Sequence, residues 1–367
     1  MIIKMKILVG ICGIGRGHSS RQYKIINELL KKGHEVRILT YGDGLDFFEK
    51  TDITTYNIFV PMVTFTNNKI DFISFIKRNK RKLITGFVLN RKVFNKLIKD
   101  NFIPDVCISD YEPVVAKFSY KLNIPLINID QQSKFIYMPE DEIDGYSISE
   151  EKQRMKLFFP KFDKKLIISF YKIDSNCLPS NVKILSPFIR DEIKQNNHFR
   201  KKNKVVVYFS KFIDITIKQD LTEVLKIFSA FKNYDFVVYI VNELNYKINY
   251  SNVKLKVNNR ESFARDLGEA CCTISTAGHT LISEAIYCNI PMFVIPLPTY
   301  DQHYCAKFVN KNRIGYASDI ITHDNLKKFI NNIDTYVENI HNCKEIMKDG
   351  NSLKHIIEEI EVYENNN

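Results

Sequence analysis

The 367-residue chain is 45% hydrophobic and 26% charged, has no tryptophan and carries a formal net charge of +11. That length suits two domains that each bury a core, and the composition is globular rather than disordered. No apolar run reaches the roughly 18 residues needed to span a bilayer. Met1–Ile11 leads into Gly13-Ile-Gly15-Arg-Gly17 without a small-residue cleavage site, so it reads as a first strand rather than a signal peptide. The eight cysteines show no C-x-x-C spacing and mostly lie in apolar runs. They read as buried thiols of a reducing, cytoplasmic compartment rather than disulfides or zinc ligands.

Lys6–Cys12 is predicted as a buried strand, Gly13–His18 as a glycine-rich turn, and Ser19–Lys32 as an amphipathic helix ended by Gly33. Glu35–Thr40 is the second strand. A dinucleotide fingerprint needs G-x-G-x-x-G, whereas this chain has Gly13-x-Gly15-x-Gly17-His18, which counts against a nicotinamide-dependent oxidoreductase. Lys69 to Lys99 holds ten Lys/Arg against the single acid Asp71, interleaved with Phe72, Phe75, Ile76, Ile84 and Phe87. One or two amphipathic helices follow from that pattern. A charge run is commonly a solvated face; mixed with aromatics it reads as a membrane-surface element or a nucleic-acid contact.

Asp105–Asp110 is a strand ending in a carboxylate at its C-terminal edge, where open α/β sheets place their sites. A buried carboxylate needs a partner, and His18 is a candidate. Ile124–Asp130 is another strand, followed by Gln131 and Gln132. Lys165–Phe170 reads as the last strand of the first half, and Lys194–Lys204 as a polar separator. Lys204–Ser210 opens a second alternating half, with Leu221–Phe231 a helix and Phe236–Val241 and Val253–Val257 strands. Leu326–Ile333 and a helix from Leu353 close it.

Cys272–Ala306 is the most informative stretch: strand, small-residue turn Thr276-Ala-Gly278-His279-Thr280, helix, the apolar strand Pro291–Pro296, then Asp301-Gln302. A glycine turn opening a helix presents unpaired N–H groups and a positive dipole end, which suit phosphate. This segment resembles the donor signature of GT-B glycosyltransferases that use UDP-sugars, including the UDP-glycosyltransferases, the transferase forming lipid II and the galactolipid synthases. Placing Glu284 on the family's ribose-binding glutamate puts Gly278 on its loop glycine and Pro291 on its proline. Asp301-Gln302 then fall near the acidic-Gln pair that holds the sugar. The family's loop indole is absent, and Thr276 stands where many plant members have histidine.

The resemblance implies two Rossmann-like domains facing across a cleft. They would be an acceptor-binding domain at 1–188, a linker at 189–203, a nucleotide-sugar domain at 204–345, and a C-terminal helix at 346–367 packing back on the first domain. It makes His18 the catalytic base, Asp110 its orienting partner, and Gln131 and Gln132 acceptor contacts. Donor contacts are expected from Gly15, Gly17, Arg190, Ser210, the Arg260 backbone, Phe263, Thr276, Gly278, His279, Thr280, Glu284, Asp301 and Gln302. Arg190, near Pro187, would reach the donor phosphates. The implied reaction is inverting transfer from a UDP-sugar to an acceptor hydroxyl, lipid-linked or glycan. No cofactor or metal is expected, since no D-x-D occurs in the chain. The implied location is cytoplasmic, peripheral at the inner face of a membrane. A UDP-sugar 2-epimerase of the same fold and a silent nucleotide-sugar binder are the other readings.

Overall fold

Leu8, Val9, Ile11, Val106 and Ile108 are fully buried, as parallel strands covered on both faces by their connecting helices must be. The computed structural model describes residues 4–62, 65–66, 69–80, 82–138, 142–171, 173, 178–197, 201–209, 219–240, 249–257, 259–343 and 352–365. The chain divides into two units. The first is Met1–Glu142, Ser147–Ser186 and Asp349–Asn367; the second is Ile143–Tyr146 and Pro187–Lys348.

Among the described residues, the first unit holds a seven-stranded parallel sheet in the order Val182–Leu185, Lys164–Ile168, Leu126–Asp130, Val106–Asp110, Lys6–Ile11, Glu35–Thr40, Thr55–Asn57. Strand order reverses at Lys6–Ile11, and the register pairs Ile11 with Asp110, so both strands end level. Two glycines permit this edge. A Cβ on Gly10 would lie 2.4 Å from Glu112 Oε2 and Val115, which top the helix Pro113–Leu122; one on Gly13 would lie 1.7 Å from the Tyr41 carbonyl oxygen. Neither space admits a side chain.

The last strand of the first sheet is Val182–Leu185, not the predicted Lys165–Phe170, which shortens to Lys164–Ile168 and lies one place in from the edge. The four-residue run Val-Lys-Ile-Leu between Pro179 and Pro187 is too short to be recognised as a strand by periodicity. The basic window forms the helices Phe72–Asn79 and Leu83–Lys99. The helix Ser352–Glu361 belongs to the first unit: Ile356, Ile357 and Ile360 are buried, Lys32 meets Glu361 at 2.9 Å, and Lys164 and Lys183 both pair with Glu359.

Among the described residues, the second unit holds a six-stranded parallel sheet, in the order Val253–Val257, Asp235–Ile240, Lys204–Tyr208, Cys272–Thr276, Met292–Ile295, Gly315–Ala317. The segment read as a linker carries the helix Asp191–Asn196, whose end lies so close to Gly268 that a Cβ there would sit 2.1 Å from the Asn196 carbonyl oxygen. Between the strands Leu126–Asp130 and Lys164–Ile168 the chain forms a hairpin, Glu142–Ile143 and Tyr146–Ser147. Its turn residues Asp144 and Gly145 both have positive φ, as a primed two-residue turn needs. Ser210 lies outside the described residues.

Candidate active site

The helix Gly17–Lys31 starts one short turn after the first strand, so His18 stands at the carboxyl edge of the first sheet, beside Asp110. His18 Nδ1 is 2.7 Å from Asp110 Oδ1. Three and four residues on, the same helix face brings two more donors to that carboxylate. Arg21 Nε donates to Oδ2 at 3.0 Å, Arg21 Nη2 approaches Oδ1 and Oδ2 at 2.6 and 2.7 Å, and Gln22 Nε2 donates to Oδ2 at 2.9 Å. Asp110 is completely buried. Burial pushes its carboxyl up, but the Arg21 charge and the hydrogen bonds from His18 and Arg21 outweigh this and hold it below its ordinary value.

An ionised Asp110 fixes the imidazole tautomer. Nδ1 carries the proton and donates it to Oδ1; an unprotonated Nδ1 at 2.7 Å would set lone pair against carboxylate. Nε2 is therefore the basic nitrogen, and it faces Gln132 Nε2 at 3.5 Å. Gln132 Oε1 is buried with no hydrogen-bond partner among the described residues. Gln131 is buried beside it in sequence, and the Tyr111 ring lies parallel to His18 at 6.4 Å. Cys12, at the same strand end, is held to an inert thiol because burial pushes it up to about 11. Gly15 donates its N–H to Asp43 at 3.0 Å, and Gly17 is the first helical residue.

In the second unit, Thr276 ends its strand and Gly278 caps the helix His279–Tyr287 with extended backbone and no side-chain cap. Nothing lies within 4 Å of a Cβ placed on Gly278, so the helix N-terminus beside it is open to approach. Thr276 and His279 are buried, and Thr280 occupies the first turn. One turn on, Glu284 is 2% exposed and bound by Arg190, Nε to Oε1 at 2.5 Å and Nη2 to Oε2 at 2.7 Å. Arg190, expected at the donor phosphates, holds this carboxylate through its Nε and Nη2.

Phe263 is also buried, its ring edge-on to Tyr208 and Tyr239. Arg260 opens its helix behind the Asn259 cap and pairs with Glu192 at 2.9 Å. Asp301 and Gln302 share the first turn of Tyr300–Lys311, with Gln302 Oε1 accepting from Leu297 N at 3.3 Å. The next residue, His303, was not singled out by the sequence. It meets the hairpin residue Asp144 at 2.8 Å and stacks on Tyr146 at 4.5 Å. Arg21 and Gln22 were also missed: their spacing from His18 puts them on its helix face, but nothing in the sequence ties that face to Asp110.

A model of glycosyl transferase family 1 matches residues 5–334. An uncharacterized glycosyltransferase of Methanosarcina mazei is 36% identical over 129 residues, covering 35% of this chain and 33% of the relative. The matching stretch thus spans about a third of that relative. The crystal structure of the glycotransferase of kitacinnamycin superposes with a TM-score of 0.71 at 16% identity, covering 98% of this chain and 99% of that one. A UDP-glucose:anthocyanidin 3-O-glucosyltransferase in complex with UDP gives 0.68 at 13%, covering 99% and 100%. The fold is that of the GT-B glycosyltransferases, and the chain belongs to glycosyl transferase family 1.

Proposed function

We propose that the protein transfers a sugar from a UDP-sugar to an acceptor hydroxyl with inversion and without a metal ion. The 2.7 Å bond from His18 Nδ1 to Asp110, which leaves Nε2 basic, carries this reading. A hydroxyl is a poor nucleophile near neutral pH, and a neutral imidazole beside it is a suitable general base. His18 Nε2 takes the acceptor proton and the acceptor oxygen bonds to the anomeric carbon. The bond from that carbon to the diphosphate breaks, and UDP leaves with its electron pair. Displacement from the opposite face inverts the centre.

Charge growing on the diphosphate is met by the uncapped N–H groups of His279 and Thr280 and by their helix dipole. Glu284, each oxygen already accepting one Arg190 N–H, keeps lone pairs for the ribose hydroxyls. Asp301 and Gln302 face the sugar, and Gln131 and Gln132 the acceptor. The test is a panel of UDP-sugars incubated with and without hydroxyl acceptors, with product anomers read by NMR. Release of UDP only with acceptor, giving an inverted product, is expected. Turnover of UDP-sugar without acceptor selects the 2-epimerase reading.

The acceptor is proposed to be lipid-linked and met at an anionic membrane surface. Ile73 and Ile84 are 82% and 79% exposed, and Ile76, Phe87 and Val88 are also exposed, among the exposed Lys77, Arg78, Lys80, Lys82, Arg91 and Lys92. Apolar side chains beside cations fit the boundary between headgroups and acyl chains. Among the described residues no helix is long and apolar enough to cross a membrane.

A further inference from the structure

Asp110 does not serve His18 alone. Its two oxygens, completely buried, receive the partly exposed His18 ring, both reaching nitrogens of Arg21, and Gln22. Arg21 is itself 7% exposed, and its Nη2 lies 3.2 Å from His18 Nδ1. The Arg21–Asp110 pair is therefore neutral before the imidazole gains any charge. Protonating His18 would place a second cation on a carboxylate already matched by the first.

We infer that Arg21 is a positioning residue that locks Asp110 in the orientation required by His18 and keeps the imidazole neutral, ready to accept a proton. A simple histidine–aspartate pair would do the opposite, because an unmatched buried carboxylate favours imidazolium. The groups facing the ring support this balance. Asp110 and Tyr111 come from one strand end, Arg21 and Gln22 from the ring's own helix, and Gln132 from the loop after the next strand. Glu112 lies one residue beyond Tyr111, and its carboxylate oxygens accept the N–H groups of Val114 and Val115, not the imidazole.

The inference rests on His18 as the base, and the experiment separates the two. The His18 ring is followed by NMR through a pH titration in the full-length protein, its resonances assigned by their loss in His18→Gln. In Arg21→Met the titration midpoint is expected to rise by at least about one pH unit, with the acid limb of the turnover profile rising alongside it; Arg21→Lys, which keeps the cation, should return the midpoint towards the parent. A folded Arg21→Met with an unmoved midpoint overturns the inference, whatever His18 does in the reaction. If His18→Ala retains turnover, the base assignment falls while the midpoint shift still stands. Should Arg21→Met not fold, the comparison is Asp110→Asn with and without Arg21→Met, which removes both buried charges together. A higher midpoint in the double variant is expected, and equal midpoints overturn the inference.

Discussion

Arg190 grips Glu284 with two parallel N–H donors at 2.5 and 2.7 Å, although 94 residues separate them and both side chains are largely buried. A planar guanidinium against a carboxylate fixes the plane as well as the position of Glu284. The remaining lone pairs of its oxygens then point in set directions, as recognition of two adjacent hydroxyls requires.

Glu284→Ala is expected to weaken UDP binding by roughly 1–3 kcal/mol through loss of charge-assisted hydrogen bonds. It also strands Arg190, so the second unit should lose about 3–5 kcal/mol of stability. Arg190→Met strands Glu284 in turn and should weaken UDP more than a 2′-deoxy nucleotide. Calorimetry with UDP and with dTDP, beside denaturant unfolding, checks both. Equal UDP affinity in Glu284→Ala and parent removes Glu284 from the site.

His18→Ala should lower turnover by roughly 10²–10⁴-fold, the usual span for removal of a general base. UDP affinity should change little. Asp110→Asn should also lower turnover through the wrong tautomer, with an added loss of stability because Arg21 is left buried without its carboxylate. Initial rates at saturating donor, with UDP titrations alongside, test the pair.

Stability in acid should reflect Asp266. Lys204, Lys256 and the Tyr239 hydroxyl all bond its carboxylate, and although burial acts in the other direction they hold it at about 2, below the ordinary 3.8. The unfolded chain takes up that proton more readily than the folded one. The contribution is therefore complete above the ordinary value and lost as pH falls towards 2, about 2 kcal/mol in all. Urea unfolding at pH 5 and pH 2 should show this slope, flattened in Asp266→Asn. An unchanged slope in that variant would assign the acid loss to other carboxylates.

Anionic vesicles should bind the protein in a strongly salt-dependent manner, since each cation near such a surface contributes about 1 kcal/mol and is screened within a Debye length. Replacing Lys77, Arg78, Lys80 and Lys82 with Gln should abolish flotation with the vesicles and leave UDP affinity intact. Ile73→Ser with Ile84→Ser should weaken binding at high salt more than at low salt. Binding to DNA but not to vesicles at the same salt would decide for nucleic acid.

The alternating halves, the strand and glycine turn before His18, the strand ending in Asp110, and the glycine-opened helix that carries Glu284 were all legible, because long apolar runs and small-residue turns are local signals. Val182–Leu185 was not, being four residues between prolines and recognisable only through its pairing with Lys164–Ile168. Arg21 was hidden for a different reason. Its partner lies 89 residues away, and the register that sets Ile11 level with Asp110 is not written in either segment. The packing of Phe263 was not legible either: its ring lies edge-on to Tyr208 and Tyr239, on two strands of the second sheet.

The helix Ser352–Glu361 has a consequence for how the molecule is made. Domains emerging from the ribosome generally fold in the order of synthesis. The first unit cannot finish in that order, because the side chains that cover part of its surface and neutralise Lys32, Lys164 and Lys183 are translated after the whole second unit. Until residues 352–361 leave the exit tunnel, the nascent first unit holds uncovered apolar surface and unmatched cations. A truncation at residue 186 reproduces that unfinished intermediate and should be prone to aggregate, while the same segment supplied with residues 349–367 as a separate peptide should be rescued.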